Sequence, residues 1–240
     1  MRIVFHDDGI ISQFEGYDRL EEFDWPHYRR KYSDIHRLDR ILEAEGDSPN
    51  RYKLSKQADV LMLFYLLSAD ELRQLFHRLG YPFARDTIPR NIDYYLQRTS
   101  HGSTLSRVVH AWVLARSKRR ESWHLFEEAI KSDISDLQGG TTHEGIHLGA
   151  IAGTVDLMQR CYTGLETRQE TLRFNPALPE EVQRMTSNIL YRHHWLKVIV
   201  EKDRISVSSL SERAAPIRVG IVDDFHELPP GGRIEQGLKS

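Results

Sequence analysis

The stretch Gln138–Thr154, QGGTTHEGIHLGAIAGT, holds five glycines, three threonines, one glutamate and two histidines. Interior glycines cost a helix roughly 1 kcal/mol each against alanine, so a packed core helix would not choose this composition. Gly139 and Gly140 allow a sharp turn that exposes backbone N–H groups. Thr141 and Thr142 add hydroxyls that can cap the helix that follows. A helix N-terminus beside such a turn makes a cradle for an anion. His147 falls three residues after Glu144, on roughly the same helical face, where it can donate to an oxyanion. The rival reading is packing: Gly145, Gly149, Ala150, Ala152 and Gly153 would let a second helix approach closely, with Glu144 merely favouring the dipole.

A second loop of the same grammar, TSHGSTLS (Thr99–Ser106), enters another helix. Ser103 or Thr104 can cap that helix, and capping is compatible with anion binding. Two such loops, each with a histidine, suggest one shared oxyanion site. A third stretch, SKQAD (Ser55–Asp59), sets Lys56 and Gln57 at the start of an apolar helix. A lysine opposes the helix dipole there, so it is either an exposed surface residue or is kept to reach a sugar hydroxyl or a phosphate. The aromatic, acidic beginning with Phe14, Tyr17, Phe23 and Trp25 suits sugar recognition or plain loop packing.

The elements that must position these residues come in two styles. Up to about Gly164 the pattern is helical. Ser55 can cap SKQADVLMLFYLL, and Ser68 with Glu71 forms a capping box for a helix that Gly80 can close. RNIDYYLQRT follows Pro89 as another helix. STLSRVVHAWVLARSKR and RESWHLFEEAIKSDI form an antiparallel pair, and a last helix is expected over about Glu144–Tyr162. After Gly164 the chain alternates apolar and polar residues. Strands are expected in LRFNPALP, on both sides of a turn near Lys202–Asp203, and in PIRVGIVD. The end, PPGGRIEQGLKS, is expected to be mobile.

The chain has 240 residues, a formal charge of −2 and 28% charged residues. No strong field points to nucleic acid or an anionic membrane. MRIVFHDDGI does not read as a signal peptide, and VLMLFYLL is far shorter than the ~20 residues of a spanning helix. A cytoplasmic protein is expected. Cys161 is the sole cysteine, so no internal disulfide forms, and its helical setting lacks the features that activate a thiol. The histidines show no zinc-site spacing, and no metal or organic cofactor is expected.

DDGIISQFEGY, RLDRILEAEGDSPNRYKLSKQADVLMLFYLLS, TSHGSTLS and QGGTTHEGIHLGAIAGTVDLMQRCYTGL closely resemble the C-terminal half of glycoside hydrolase family 65. That family contains maltose, trehalose, kojibiose and nigerose phosphorylases with a few hydrolases. The resemblance runs to about Val222. It implies a mainly α fold: the C-terminal half of an (α/α)6 barrel over residues 1–165, a small antiparallel β domain over 166–225, and a flexible tail over 226–240. It implies an inverting reaction in which inorganic phosphate, a co-substrate rather than a cofactor, attacks the anomeric carbon of an α-linked glucose disaccharide. Lys56 and Gln57 match the pair that contacts the glucosyl unit. Ser103, Thr104, Gly140, Thr141 and His147 match the phosphate-holding loops. The family's general-acid glutamate lies upstream of FEGY, so no carboxylate here matches it, and Glu144 is not its substitute. The chain is therefore expected to be silent alone, to act with a companion chain that carries the acid, or to serve as a non-catalytic sugar- or phosphate-binding protein. Hydrolysis is the weaker alternative, because it needs a carboxylate base where the hydroxyl loops and His147 stand. The family often forms homodimers.

Overall fold

The computed structural model describes residues 2–135 and 145–238. Its contacts divide the chain into two compact units, one of residues 1–114 and 124–153, the other of 115–123 and 154–240.

The first unit is helical. Helices α1 (Trp25–Lys31), α2 (Leu38–Ala44), α3 (Asp59–Leu66), α4 (Ala69–Leu79), α5 (Thr87–Leu96) and α6 (Thr104–Leu114) precede α7 (Arg119–Lys131) and α8 (Leu148–Asp156), of which the start of α7 and the end of α8 are assigned to the second unit. Helix α4 follows its local signals. The Ser68 hydroxyl accepts from Glu71 N, the Glu71 carboxylate accepts from Ser68 N, and Gly80 ends the helix at φ 76°. Helix α3 does not follow them. Its N-cap is Ala58, which makes no side-chain bond, and the helix starts four residues after Ser55. Gln13 takes the capping role from a distance: its carbonyl accepts from Val60 N and its amide donates to the Ser55 hydroxyl. A long-range partner thus displaces the cap expected from local sequence.

Helix α3 packs against α5 and α6. Leu61, Leu72, Phe76, Tyr95 and Leu114 are almost completely buried in this core. Burying a side chain of this size is worth about 1.5–3 kcal/mol, so this layer fixes where the loops at its ends can stand. The aromatic beginning of the chain serves packing at two positions. Tyr17 joins this core, and Phe23 forms a smaller one with Leu38 and Leu42, while Phe14 stays exposed.

The second unit carries two four-stranded sheets. Strands β3 (Arg184–Tyr191), β4 (His194–Glu201) and β5 (Arg204–Ser209) run antiparallel, and β8 (Arg233–Gly237) completes their sheet beside β5. Leu196, Val198, Val200, Ile205 and Val207 bury one face of it, as the alternation requires. The other sheet has the order β1-β2-β6-β7, from Glu166–Arg168, Thr171–Phe174, Ile217–Ile221 and Asp224–Leu228. Its β2–β6 pair is parallel, so the unit is not purely antiparallel.

The expectation of a mobile tail over 226–240 does not hold through its length. Residues 224–228 and 233–237 are strands, and Ile234 pairs with Val207 and is buried. Two prolines and two glycines suggested mobility, but they form the turn that lets β8 return to β5.

Candidate functional site

Lys56 and Gln57 lie in the loop before α3, held against the segment that leads into α6. Ser55 pairs with Thr99 as in a parallel ladder. Ser55 N donates to Arg98 O at 2.8 Å, Ser100 N to Ser55 O at 2.9 Å, and Gly102 N to Lys56 O at 3.1 Å. Gly102 is where the two segments come closest. A Cβ there would stand 2.6 Å from His36 O and 3.0 Å from Lys56 Cγ, so only glycine fits. The next residue, Ser103, accepts the first turn's bond from Ser106 N, and Thr104 begins α6 buried. Lys56 is exposed, and its ammonium forms no ion pair with a described residue. The half-buried Gln57 faces Ser106, Val109 and His110 of α6 across a crevice too narrow for water.

The first turns of α6 carry a buried polar cluster behind this loop. His101 has a left-handed backbone, φ 54°, and its Nδ1 lies 3.1 Å from the Ser106 hydroxyl. His110 Nδ1 donates to Ser106 O at 2.7 Å, which makes its Nε2 a buried acceptor with no donor among the described residues. Burial holds the His101 imidazole down at about 2, with His110, Arg107 and His36 adding to the effect. Burial also brings His110 down to about 4. Both rings are therefore neutral at pH 7. Arg107, 1% exposed, donates to Glu128 on α7 at 2.9 Å and to His36 Nε2 at 3.3 Å, and it stands 3.5 Å from the His101 carbonyl. One guanidinium thus ties the loop, α6 and α7 together.

His147 immediately precedes α8, and its carbonyl accepts from Ala150 N and Ile151 N. Asp133, two residues past the end of α7, holds it twice. One carboxylate oxygen accepts from His147 N at 3.0 Å and the other meets the ring Nδ1 at 2.5 Å. Hydrogen bonding from the His147 ring holds the Asp133 carboxyl below its ordinary range. The ring nitrogen left over, Nε2, is the one available to a ligand.

These contacts fix the relative placement of the two loops. The Arg107–Glu128 pair joins the start of α6 to the end of α7, so the two helices are antiparallel. The Asp133–His147 pair then brings the start of α8 to the end of α7. Helices α6 and α8 therefore begin at the same end of the unit. At Gly153 a Cβ would stand 2.5 Å from Val108 Cγ1, so the two helices touch there. Val108 is five residues beyond Ser103 and Gly153 six beyond His147, about 8 and 9 Å of axial rise. Ser103 and His147 stand level to within a turn. Of the glycines proposed for packing, Gly153 serves helix approach, whereas no heavy atom of a described residue stands within 4 Å of a Cβ at Gly145 or Gly149.

Gly140 and Thr141 lie outside the described residues, as does Glu144. The residues missed from sequence are Asp133, Arg107 and Gln13. Each acts through a partner at least 14 residues away, and no local motif marks any of them. Cys161 is buried, which pushes its thiol up to about 12 and keeps it from acting as a thiolate. Among the described residues no group of His, Cys, Asp and Glu could hold a metal ion, and no helix is long and apolar enough to cross a membrane.

Two helices that begin at one end of a helical unit, one behind a hydroxyl loop and one behind a histidine, with a second unit of two four-stranded sheets, define a helical fold with a β module. Residues 1–156 match the glycosyl hydrolase family 65 central catalytic domain, and residues 165–227 match the family 65 C-terminal domain. The chain belongs to glycosyl hydrolase family 65. It is 54% identical over 99% of its length to an uncharacterized glycosyl hydrolase of Mycobacterium tuberculosis, of which it covers 18%. It is 35% identical over 97% of its length to the trehalose 6-phosphate phosphorylase of Lactococcus lactis, covering 30% of that enzyme. A solved structure named as a candidate kojibiose phosphorylase from the human microbiome shares the fold over the whole chain, at TM-score 0.77 and 21% identity, with 32% of that chain covered. The chain spans less than a third of the length of each of these relatives.

Proposed function

We propose that this chain forms the glucosyl- and phosphate-binding side of an inverting α-glucoside phosphorylase, built on half of an (α/α)6 barrel. Lys56 and Gln57 contact the glucosyl unit. Ser103, Thr104, Gly140, Thr141 and His147 hold phosphate, which attacks the anomeric carbon as the glycosidic oxygen departs. The observation that carries this reading is the level placement of Ser103 and His147, with Lys56 stitched to the first of these loops through Gly102. Phosphate arrives already anionic, so the site needs positioned donors rather than a base.

The proton for the departing oxygen comes from a glutamic acid that this chain does not supply. A general acid at neutral pH needs a raised proton affinity. Glu22, Asp39, Glu45, Asp47, Asp133 and Glu201 are all shifted down, the opposite of what a general acid needs. The exposed Ile130, Ile134, Ile146 and Leu148 mark the face that the remaining barrel helices would cover, whether from a companion chain or from further sequence.

The test is an assay for glucose 1-phosphate with phosphate and, in turn, trehalose 6-phosphate, trehalose, kojibiose and maltose, alongside calorimetry with glucose and with phosphate. The expected result is binding without turnover by this chain, and turnover once the acid-bearing barrel half is added. Release of glucose 1-phosphate by the chain alone would overturn the assignment of the acid elsewhere. Absence of binding to either small ligand would remove the site.

A further inference from the structure

We infer that the second unit carries a cleft for a neutral oligosaccharide, set between the β1–β2 and β3–β4 turns and the outer face of strands β6 and β7. The cleft encloses about 750 Å³, within the roughly 300–1,000 Å³ of small-molecule sites, and polar side chains make up most of its lining. Its two arginines, Arg192 and Arg218, are matched by two glutamates, Glu170 and Glu227, so the formal charge cancels.

One wall is formed by two tight turns whose residues cost backbone energy. Arg192 and His193 link the paired Tyr191 and His194, and both have left-handed backbones, φ 45° and 67°. Gln169 does the same, at φ 53°, in the turn that links Arg168 to Thr171. Glycine and asparagine suit such turns, because other side chains are strained there. Arg192 donates to Glu170 at 3.0 Å and ties the two turns together. Both of these side chains are exposed, and an exposed ion pair stabilises by less than the strain costs. Local stability does not account for long polar side chains at these turns; a ligand in the cleft does.

The floor is sheet. Thr171, Arg218 and Glu227 stand in one row across β2, β6 and β7, with Gly220 and Phe225 in the next row of the same face. Gly220 makes room for the Phe225 ring: a Cβ there would stand 3.1 Å from Phe225 Cε1. Phe225 is 42% exposed, and the Arg218 guanidinium lies 4.6 Å from its ring centroid. That contact steadies the guanidinium and leaves its N–H groups able to donate. The Arg218 and Glu227 side chains form no hydrogen bond or ion pair with a described residue. A guanidinium beside a carboxylate, each planar and two-pronged, matches the donors and acceptors of adjacent sugar hydroxyls, and an exposed aromatic ring suits the C–H face of a pyranose. An anionic ligand would meet Glu170 and Glu227, and an acyl chain would meet a lining that is mostly polar. The cleft is built within the β unit, so it stands apart from the phosphate reading of the helical loops.

The experiment titrates maltotriose and, separately, cellotriose into the 15N-labelled full chain and follows backbone amide shifts. It is run on the wild type and on Lys56→Ala, which removes the glucosyl contact proposed in the helical unit. The expected result is saturable shifts at Gln169, Glu170 and residues 217–227 with at least one of the sugars, at the same affinity in both proteins. Arg218→Ala should weaken that binding about tenfold or more, and Glu227→Gln by a smaller factor. No shift at the cleft with either sugar overturns the inference, whatever the helical unit binds, as does an affinity unchanged in both variants. Shifts at the cleft with inorganic phosphate but with neither sugar also overturn it and make the cleft an anion site. Should Arg218→Ala not fold, Glu227→Gln, which keeps the size and removes the charge, decides.

Discussion

The starts of α6 and α8 carry similar residue types and are held by opposite means. Helix α6 begins inside the protein. Thr104 and every residue from Ser106 to Ala111 are buried, and Gly102 and Arg107 bind the loop to three other segments. Helix α8 begins at the surface. Ile146 and Leu148 are exposed, and the described contact that holds His147 in place is one carboxylate. The first loop is therefore part of the core's stability, and the second can be altered with little effect on it. Damage at α6 should unfold the unit, whereas damage at α8 should change what it binds.

Arg107 gives the largest expected effect. Arg107→Met removes the guanidinium that Glu128 and His36 share. Breaking a buried ion pair costs about 3–5 kcal/mol. Glu128 keeps about a third of its side chain in solvent, which places the loss near 3 kcal/mol. Urea denaturation of the variant should show it. A loss under about 1 kcal/mol would mean that the α6 loop does not depend on this hub.

Gly102→Ala comes next. The added methyl meets the backbone carbonyl of His36, which cannot swing away as a side-chain end would. Overpacking of this kind costs about 1–3 kcal/mol. The Lys56 stem is also in the way, so glucose affinity should fall together with the melting temperature. A variant with wild-type stability and weakened glucose binding would show that the close approach serves the ligand alone.

Acidification tests the same loop without mutation. His101 and His110 are held neutral, at about 2 and about 4, against an ordinary 6.5. A histidine whose folded value is depressed takes up protons more readily when unfolded. Its contribution is full above pH 6.5 and is lost as the pH falls from there, toward about 4 for His110 and about 2 for His101. By pH 4 the unit should have weakened by up to about 3 kcal/mol for each histidine. His110→Phe should flatten the part of the slope that His110 produces. An unchanged slope in that variant would place the acid sensitivity elsewhere.

What could be read from sequence divides along the same line between local and distant contacts. The capping box of α4, the α6–α7 pair and the turn between β4 and β5 each lie within a few adjacent residues and were legible. The start of α3 was not, because Gln13 caps it from 47 residues away. The end of the chain reads as mobile by composition, yet β5 offers it an open strand edge, and a sheet edge leaves no mark in the sequence that will pair with it. At the site, the glycines and hydroxyls of both loops could be seen. The Asp133 carboxylate, 14 residues before its histidine in an ordinary helix end, could not.

The smallest expected effect on stability is at that carboxylate, and it separates the two helix starts most sharply. Asp133→Ala removes two hydrogen bonds from a mostly buried carboxylate, and no buried charge is left behind. The cost should be below about 1–2 kcal/mol, since water can reach the freed His147 groups. Helix α8 would keep its contact with Val108 at Gly153. The His147 ring, however, would lose its anchor and sample several orientations. Phosphate affinity should fall about tenfold or more while the melting temperature moves by only a few degrees. Helix α6 gives the opposite pairing, since Gly102→Ala lowers stability and ligand affinity together. If Asp133→Ala instead unfolded the unit as Arg107→Met is expected to, the start of α8 would be as deeply tied to the core as that of α6, and the contrast between them would vanish.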